Sequence, residues 1–234
     1  MLAVLLPRVP LVIRVVIMHL LKLSEPAPYM SLRSELMVSI IRSFLQSSNP
    51  FSISAAQELS LRDPGPKGRL WISKYVSPPP PETSIRDALL RVVKDMAEPG
   101  EPAPEVRVPE FAHVEAEWNG HREAATKEEA LPDMTELERY QELTKECSAP
   151  TTILYFHGGA FYTCDPSTHR NTCKRLAKLT GGRCYSVRYR LSPQHAFPAA
   201  LLDALVSYLT LLYPPPDAFH EPVLPEHVVF AGDR

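Results

Sequence analysis

The chain has 234 residues, 44% of them apolar and 22% charged, a composition that permits one sizeable domain with a buried core. The formal net charge is −2 and no stripe of Lys or Arg runs along the sequence, so composition argues against a nucleic-acid partner. The four cysteines contain no CxxC pair, which favours reduced thiols over a disulfide framework.

The first 23 residues are rich in Leu, Val and Ile, but Arg8, Arg14, His19 and Lys22 interrupt them. One central arginine costs about 2.5–3.5 kcal/mol on insertion scales, so a membrane-spanning helix is not expected. The segment also lacks the compact apolar block and cleavage site of a signal peptide. On a helical wheel, Arg8, His19 and Lys22 form one edge and apolar side chains fill the opposite side, which predicts an amphipathic helix.

Such a helix has two interpretations. It is either a peripheral membrane contact or cap, formed by residues 1–23, or a helix packed against the domain, and the second is favoured. A second amphipathic helix is predicted to begin after Ser31 as its N-cap. We therefore assign residues 1–50 to N-terminal helices and expect a cytoplasmic or peripheral-membrane location, not secretion.

Residues 51–234 are predicted to form one α/β domain. Glu58–Leu61 and Arg69–Val76 are short apolar-containing runs on either side of a turn-rich linker, and we expect them to be a hairpin that opens the sheet. A helix is predicted from Ser84, with Asp87 completing a capping box.

Apolar and polar residues alternate from Ala112 to Trp118 and lead into Asn119-Gly120, the dipeptide favoured in a two-residue hairpin turn. A polar helix is expected after a cap formed by Asp133 and Glu136. Residues from about 83 to 148 thus read as an insertion of mixed structure between core strands. His113 and His121 have no third ligand at a recognisable spacing, so we expect no metal.

From Thr151 the pattern changes to that of a buried parallel strand, Ile153-Leu154-Tyr155-Phe156, followed directly by His157-Gly158-Gly159-Ala160-Phe161. Two glycines allow a sharp turn that directs backbone N–H groups outward, and such groups stabilise the oxyanion formed in acyl transfer. A tight turn without a chemical role would be the simpler interpretation if this motif stood alone.

Further motifs follow in order. Asp165-Pro166 opens a predicted helix that Gly181-Gly182 ends, and Cys184–Arg190 is a predicted strand. After a loop and a leucine-striped helix, Val228–Asp233 forms a buried strand that enters a glycine turn. This alternation of strands and helices predicts a mostly parallel sheet with helices on both faces.

The motifs His157–Phe161, Tyr189–Ala200 and Val229–Asp233 together resemble those of the hormone-sensitive-lipase-like esterases of the α/β-hydrolase superfamily. The resemblance is strong over Thr151–Arg234, weaker near residues 58–76 and absent from the segment 83–148. It implies a carboxylic-ester hydrolase without a cofactor, acting on a small-molecule or lipid ester.

By position, the resemblance implies that backbone N–H groups near Gly158, Gly159 and Ala160 belong to an oxyanion hole. His157 would shape that loop and would not be the catalytic base. Phe161 and Tyr162 would line the substrate pocket or serve as packing aromatics. Ala160 stands where a third glycine is more common. Ser192, Gln194 and Ala196 stand where Ala, Glu and Pro are more usual, which affects loop detail.

The family's nucleophile elbow reads Gly-Asp-Ser-Ala-Gly-Gly, whereas this sequence reads Gly232-Asp233-Arg234. Arg234 occupies the slot of the nucleophile, and no G-x-S-x-G occurs elsewhere. We therefore expect a truncated hydrolase that lacks the Ser, Asp and His of the triad and is inactive as given.

A retained intron or gene-model error would explain Arg234, and a cloning scar or early stop is the alternative. A central strand left at the edge of the sheet would also make the chain poorly soluble.

Two other functions are compatible with the same residues. A non-catalytic pseudoenzyme could bind a small ligand in the pocket, since function belongs to the site and not to the fold. A membrane-associated protein could act through residues 1–23.

Overall fold

The computed structural model describes residues 8–45, 52–96, 100 and 105–233 and divides the chain into two compact units, residues 1–56 and 57–234. Two parts of the sequence-based predictions lie outside the described residues, namely Met1–Pro7 of the amphipathic segment and Arg234 of the elbow.

Within residues 8–45 the N-terminal unit forms the helices α1 (Val9–Leu20) and α2 (Leu32–Leu45). The hydroxyl of Ser31 accepts the N–H of Ser34 at 3.2 Å, which is the N-cap predicted for the second helix. Among the residues that the structure describes, no helix is long and apolar enough to cross a membrane.

The second unit is built on a five-stranded sheet in the order β1-β2-β4-β3-β5. Strand β2 is antiparallel to both of its neighbours, and the other four strands run in one direction. The predicted mostly parallel α/β sheet is thereby confirmed. The strands are β1 (Leu70–Ser77), β2 (Val114–His121), β3 (Thr152–Phe156), β4 (Arg183–Val187) and β5 (Val228–Gly232).

Helices cover both faces of this sheet. On one face Leu154, Trp118 and Tyr185 belong to a large core with side chains from the helices that follow β1, β2 and β4. On the other face Ile153 and Tyr155 pack with Cys173 in a smaller core. Helix α3 (Ile53–Ser60) precedes β1. The helices whose side chains join the two cores are α4 (Ser84–Asp95), α5 (Glu136–Lys145), α6 (Pro166–Thr180) and α7 (Ala199–Leu212).

Two predicted elements are wrong. The residues predicted as a first strand, 58–61, complete helix α3 and the turn after it. Asn119-Gly120 is not a hairpin turn but part of β2, where Asn119 is fully buried between Ile72 and Cys184. A side chain at Gly120 would come within 2.5 Å of Leu143, so this glycine permits α5 to pack closely on the strand.

The segment 83–148 contains strand β2, which lies between β1 and β4 in the sheet. It also contains the two predicted helices, α4 and α5. The caps differ from those predicted. Thr83, without a side-chain cap bond, precedes α4, and Thr135 with Glu138 forms the capping box of α5. The boundaries of the two domains and of this segment remain proposals.

The elements of the last third lie where the sequence pattern predicts them, but β5 is not the buried strand expected. It is an edge strand of the sheet, with Val229 48% and Phe230 60% exposed. Asp165 caps α6 by accepting the N–H of Ser167 at 2.9 Å, and Gly181 ends that helix with a left-handed φ of +68°. Strand β4 stops at Val187, before the predicted Arg190, and Arg188 donates its N–H to the carbonyl of Glu115 at 2.9 Å.

A buried ion triad joins α6 to β2 and to the loop before β1. The Arg170 guanidinium donates to both oxygens of Glu117 at 2.8 and 2.6 Å and to both oxygens of Asp63 at 2.5 and 2.7 Å. The Glu117 side chain is fully buried. The hydrogen bonds from Arg170 lower the pKa of Asp63 to about 2, although burial acts in the opposite direction.

Replacement of Arg170 by leucine is expected to lower the free energy of unfolding by about 3–5 kcal/mol, because Glu117 would remain buried without a counter-charge. Chemical denaturation measures the change. Arg175→Leu, on the exposed side of the same helix, is the matched control and should change stability by less than about 0.5 kcal/mol. Equal effects of the two substitutions would contradict this account. The double variant Arg170→Leu/Glu117→Gln should recover part of the loss.

Candidate active site

The candidate site lies where β3 and β5 end side by side. The two strands are parallel, and Phe156 is in register with Gly232. A side chain on Gly232 would come within 2.7 Å of the Phe156 carbonyl oxygen, so the glycine permits this close approach. The loop that begins at His157 and the Gly232-Asp233 turn are thereby brought together, although 75 residues separate Gly158 from Asp233.

Asp233 is the centre of the polar contacts at this edge. Its Oδ1 accepts the Tyr155 hydroxyl at 2.6 Å and the Gly158 N–H at 3.0 Å, and its Oδ2 lies 3.1 Å from His169 Nε2. Burial would raise the pKa of Asp233, but these hydrogen bonds outweigh it and hold the pKa below its ordinary value. The carboxylate therefore stays ionised and links the loop to the end of β5.

The loop after β3 has an unusual backbone. Gly159, Ala160, Phe161 and Cys164 all have positive φ, at +115°, +51°, +61° and +69°. Such angles in three non-glycine residues cost of order 1–3 kcal/mol each. The Gly159 carbonyl compensates by accepting the N–H groups of Tyr162 and Thr163 at 3.1 and 3.0 Å. Any side chain at Gly159 would lie 2.3 Å from the Thr163 carbonyl oxygen.

The three N–H groups assigned from the sequence to an oxyanion hole are not equivalent. The Gly158 N–H donates to Asp233. For the N–H groups of Gly159 and Ala160, the residues that the structure describes provide no acceptor. The turn thus places two consecutive donors that a ligand could use, one residue further along than Gly158.

His157 is buried at the start of the loop and stacks on Tyr189 with ring centroids 4.2 Å apart. Its Nδ1–H donates to the Gly158 carbonyl at 2.9 Å, and the Tyr189 hydroxyl donates to the His157 carbonyl. Burial lowers the pKa of His157 and raises that of Tyr189 to about 12. The histidine is therefore neutral near pH 7 and is held by its neighbours on both sides.

A cleft of about 530 Å³ opens beside these residues. Its walls are mostly apolar and include Phe161, whereas Tyr162 does not contribute to them. The lining residues are Phe156, His157, Gly158, Ala160, Phe161, Tyr189, Ala200, Leu201, Ala204, Phe230, Ala231, Gly232 and Asp233. The cleft can hold an apolar group next to Ala160, whereas Gly159 is its neighbour in the chain and does not line the cleft.

The segment Tyr189-Arg190-Leu191, here called the Tyr-Arg-Leu motif, is held in place by side-chain hydrogen bonds and an ion pair. The Arg190 guanidinium pairs with both oxygens of the buried Asp203 on α7, and its backbone N–H donates to Asp203 at 2.8 Å. Gln194, at a position where the family more often has Glu, exchanges side-chain hydrogen bonds with Gln57 at 3.1 and 2.8 Å. The departure from the family pattern is therefore accommodated by an amide pair.

Sequence reasoning missed Tyr155 and His169 as partners of Asp233. Tyr155 stands within an apolar strand and looks like a packing residue, while His169 lies in a helix with no motif around it. His121, one of the two histidines considered as metal ligands in the sequence, pairs with the Glu123 carboxylate at 2.6 Å. Within the described residues no group of three or more His, Cys, Asp or Glu side chains could hold a metal ion.

Comparison with known proteins supports the resemblance to α/β hydrolases. Residues 153–234 match the model of a family described as "alpha/beta hydrolase fold". The resemblance based on the sequence motifs is confirmed: residues 153–234 are similar to α/β hydrolases. More particularly, the relatives that the chain resembles are named as a lipase and an esterase.

Lipase 2 of Moraxella sp. strain TA144 is 35% identical over 108 residues, which are 43% of this chain and 23% of that protein. Esterase LipI of Mycobacterium tuberculosis is 46% identical over 59 residues, 25% of this chain and 18% of that protein. A hyperthermophilic esterase from Pyrobaculum calidifontis has a TM-score of 0.47 at 19% identity, covering 87% of this chain and 49% of that one. The chain spans about a quarter of the length of the curated relatives.

The contact between Gly158 and Asp233 can be tested by Gly158→Ala. The added methyl group would lie 2.6 Å from Asp233 Oδ2, so the carboxylate must move and weaken its bond to the Gly158 N–H. The pKa of Asp233 should then rise towards its ordinary value, which the carboxyl ¹³C shift measures as a function of pH. Ala160→Gly, which adds no atoms, is the control. An unchanged pKa in Gly158→Ala would refute the contact.

Proposed function

We propose that this chain provides the oxyanion-binding part of a carboxylic-ester hydrolase. The observation that carries the proposal is the pair of N–H groups on Gly159 and Ala160, without acceptors in the described residues, beside an apolar cleft at the ends of β3 and β5. This arrangement suits a small-molecule or lipid ester, with its carbonyl oxygen at the N–H groups and an apolar part in the cleft.

In ester hydrolysis, attack on the carbonyl carbon places negative charge on the carbonyl oxygen. A donor fixed in advance at that oxygen is worth about 2.7–4 kcal/mol in the transition state. The strained turn at Gly159 keeps two such donors adjacent, so no reorganisation is needed when the charge develops. We assign the donor role to Gly159 and Ala160, and to Gly158 the role of tethering the loop to Asp233.

His157 acts as a positioning residue in this proposal. It is neutral, its Nδ1–H is committed to the Gly158 carbonyl, and its ring is stacked on Tyr189, so it shapes the loop. Position 234, where the family has the nucleophilic serine, is Arg234 in this sequence, and no G-x-S-x-G occurs among the 234 residues. We therefore propose that these residues by themselves bind the ester group without cleaving it.

The donor assignment predicts which amides respond to a carboxylate. Titration with butyrate, followed by ¹H–¹⁵N NMR of the 234-residue chain, should shift the Gly159 and Ala160 amides most. The Gly158 amide, already bonded to Asp233, is the internal control. Butanol is the matched ligand without a charge, and it should perturb Phe161 more than the two amides. No shift at Gly159 and Ala160, or an equal shift at Gly158, would overturn the assignment.

The absence of a nucleophile predicts no ester turnover by the 234-residue chain. A p-nitrophenyl butyrate assay should give the rate of buffer alone, because at most a residual contribution from the N–H donors remains when the triad is absent. Turnover that a serine-directed inhibitor abolishes would contradict the prediction. The butyrate titration is independent of this outcome, since it reports binding at the N–H groups and not cleavage.

The peripheral membrane contact predicted for residues 1–23 is a separate proposal about the N-terminal unit. It is supported by the charges and exposed side chains of that unit, within residues 8–45.

A further inference from the structure

The two helices of the N-terminal unit meet through polar side chains. Arg8 Nε donates to the Ser43 hydroxyl at 2.9 Å, and His19 Nδ1 lies 2.5 Å from Glu35 Oε2. The Ser24 hydroxyl donates to the same Glu35 oxygen at 3.1 Å. The polar edge that the helical wheel predicts for α1 is therefore largely turned inward, towards α2.

The apolar side of α1 is consequently turned outward. Four of its side chains recur at helical spacing and are about half exposed or more: Val9 (49%), Ile13 (54%), Ile17 (50%) and Leu20 (68%). Leu21 and Leu23 continue this surface beyond the helix, with 62% and 63% exposed. A helix packed in water shows the reverse arrangement, with its apolar stripe inward and its polar side outward.

The exposed face of α2 combines apolar and basic residues. Met37 and Ile41 are 55% and 53% exposed, and the exposed residues Arg33 and Arg42 lie at the two edges of the exposed side of the helix. We call Val9, Ile13, Ile17, Leu20, Met37 and Ile41, with Arg33 and Arg42, the outer face of the N-terminal unit.

The charge of this unit differs in sign from that of the whole chain. Residues 1–56 contain five Lys or Arg and two Glu, whereas the 234 residues together have a formal net charge of −2. One of the two acidic residues, Glu35, is buried against His19. The surface around the outer face is therefore cationic, which complements an anionic partner.

We infer that the outer face binds the surface of a membrane containing anionic lipids, with the helices lying in the plane of the interface. Half-exposed aliphatic side chains would enter the boundary between headgroups and acyl chains, and Arg33 and Arg42 would contact lipid phosphates. No described helix could cross the bilayer, which fits binding at the surface. This inference concerns the first unit alone and does not depend on the proposed ester chemistry.

The combination of features favours lipid over a folded protein partner. Contiguous apolar exposure of this kind marks either a protein interface or a membrane contact. Interfaces between proteins are enriched in aromatic residues, whereas the outer face contains no aromatic side chain. A second copy of the chain would bring the same cationic surfaces together, which is unfavourable.

Flotation of the 234-residue chain with lipid vesicles tests the inference. The chain should float with vesicles of phosphatidylcholine and phosphatidylserine, should bind phosphatidylcholine alone much more weakly, and should be released in part by added salt. The variant Ile13→Asn/Ile17→Asn should lose flotation. Leu179→Asn, which removes an 80% exposed leucine in the second unit, is the matched control and should float like the parent chain.

Arg33→Gln/Arg42→Gln provides a second test that leaves the apolar residues in place. Two basic residues near the surface, at about 1 kcal/mol each, correspond to a loss of about 30-fold in partitioning to phosphatidylserine vesicles. Circular dichroism should show unchanged helix content, since both side chains are exposed.

Three outcomes would overturn the inference. They are no flotation of the parent chain, equal binding to both kinds of vesicle with no effect of the arginine variant, or loss of flotation in Leu179→Asn. A dimer in sedimentation that dissociates in Ile13→Asn/Ile17→Asn, without vesicle binding, would instead assign the face to a second copy.

Discussion

The parallel pairing of β3 with β5 is the constraint on which the candidate site depends. Parallel strands end at the same edge of the sheet. The residues that follow Phe156 and those that follow Gly232 therefore lie close together. The glycine lets the backbones approach, and the Asp233 carboxylate then fixes the separation by accepting from Gly158 and Tyr155. Because the Gly158 N–H is used in this contact, the donors left for a ligand are the next two along the chain. The register of one strand pair thus determines which backbone groups are available.

The strained turn after β3 persists because neighbouring contacts over-determine it. Tyr189 holds the His157 carbonyl and stacks on its ring, and the Cys164 N–H donates to the Ser60 hydroxyl at 3.0 Å. Tyr189 belongs to the Tyr-Arg-Leu motif, and Ser60 is the last residue of α3. Both partners of the turn therefore lie outside the turn itself. The ion pair of Arg190 with Asp203 anchors the Tyr-Arg-Leu motif to α7. Packing of distant elements is therefore the source of the local geometry, and fixed geometry is what an oxyanion site requires.

The sequence predicts the last third of the chain well and the first part less well, for a physical reason. After Thr151 the capping residue Asp165, the left-handed Gly181 and the buried strands β3 and β4 follow rules that act within a few residues. The exposure of β5 depends instead on its place at the edge of the sheet. The two wrongly predicted elements, at Glu58–Leu61 and at Asn119-Gly120, concern residues whose conformation depends on distant partners. Asn119 has a strong preference for turns, but pairing with β1 and β4 on both sides outweighs it. Tyr155 and His169 were missed because their shared partner Asp233 lies more than 60 residues away.

In the N-terminal unit, amphipathic periodicity predicts the helix α1 but not which of its sides faces α2. The period of α1 predicts two unlike sides correctly, but it carries no information on which side meets a neighbour. That choice depends on the polar groups that the neighbouring helix presents, here Ser43 and Glu35 on α2. Once Glu35 is buried, a hydrogen-bonding partner is required, and His19 on the polar edge of α1 can supply it. The apolar side is then exposed as a consequence, because a single helix cannot direct both of its sides towards α2.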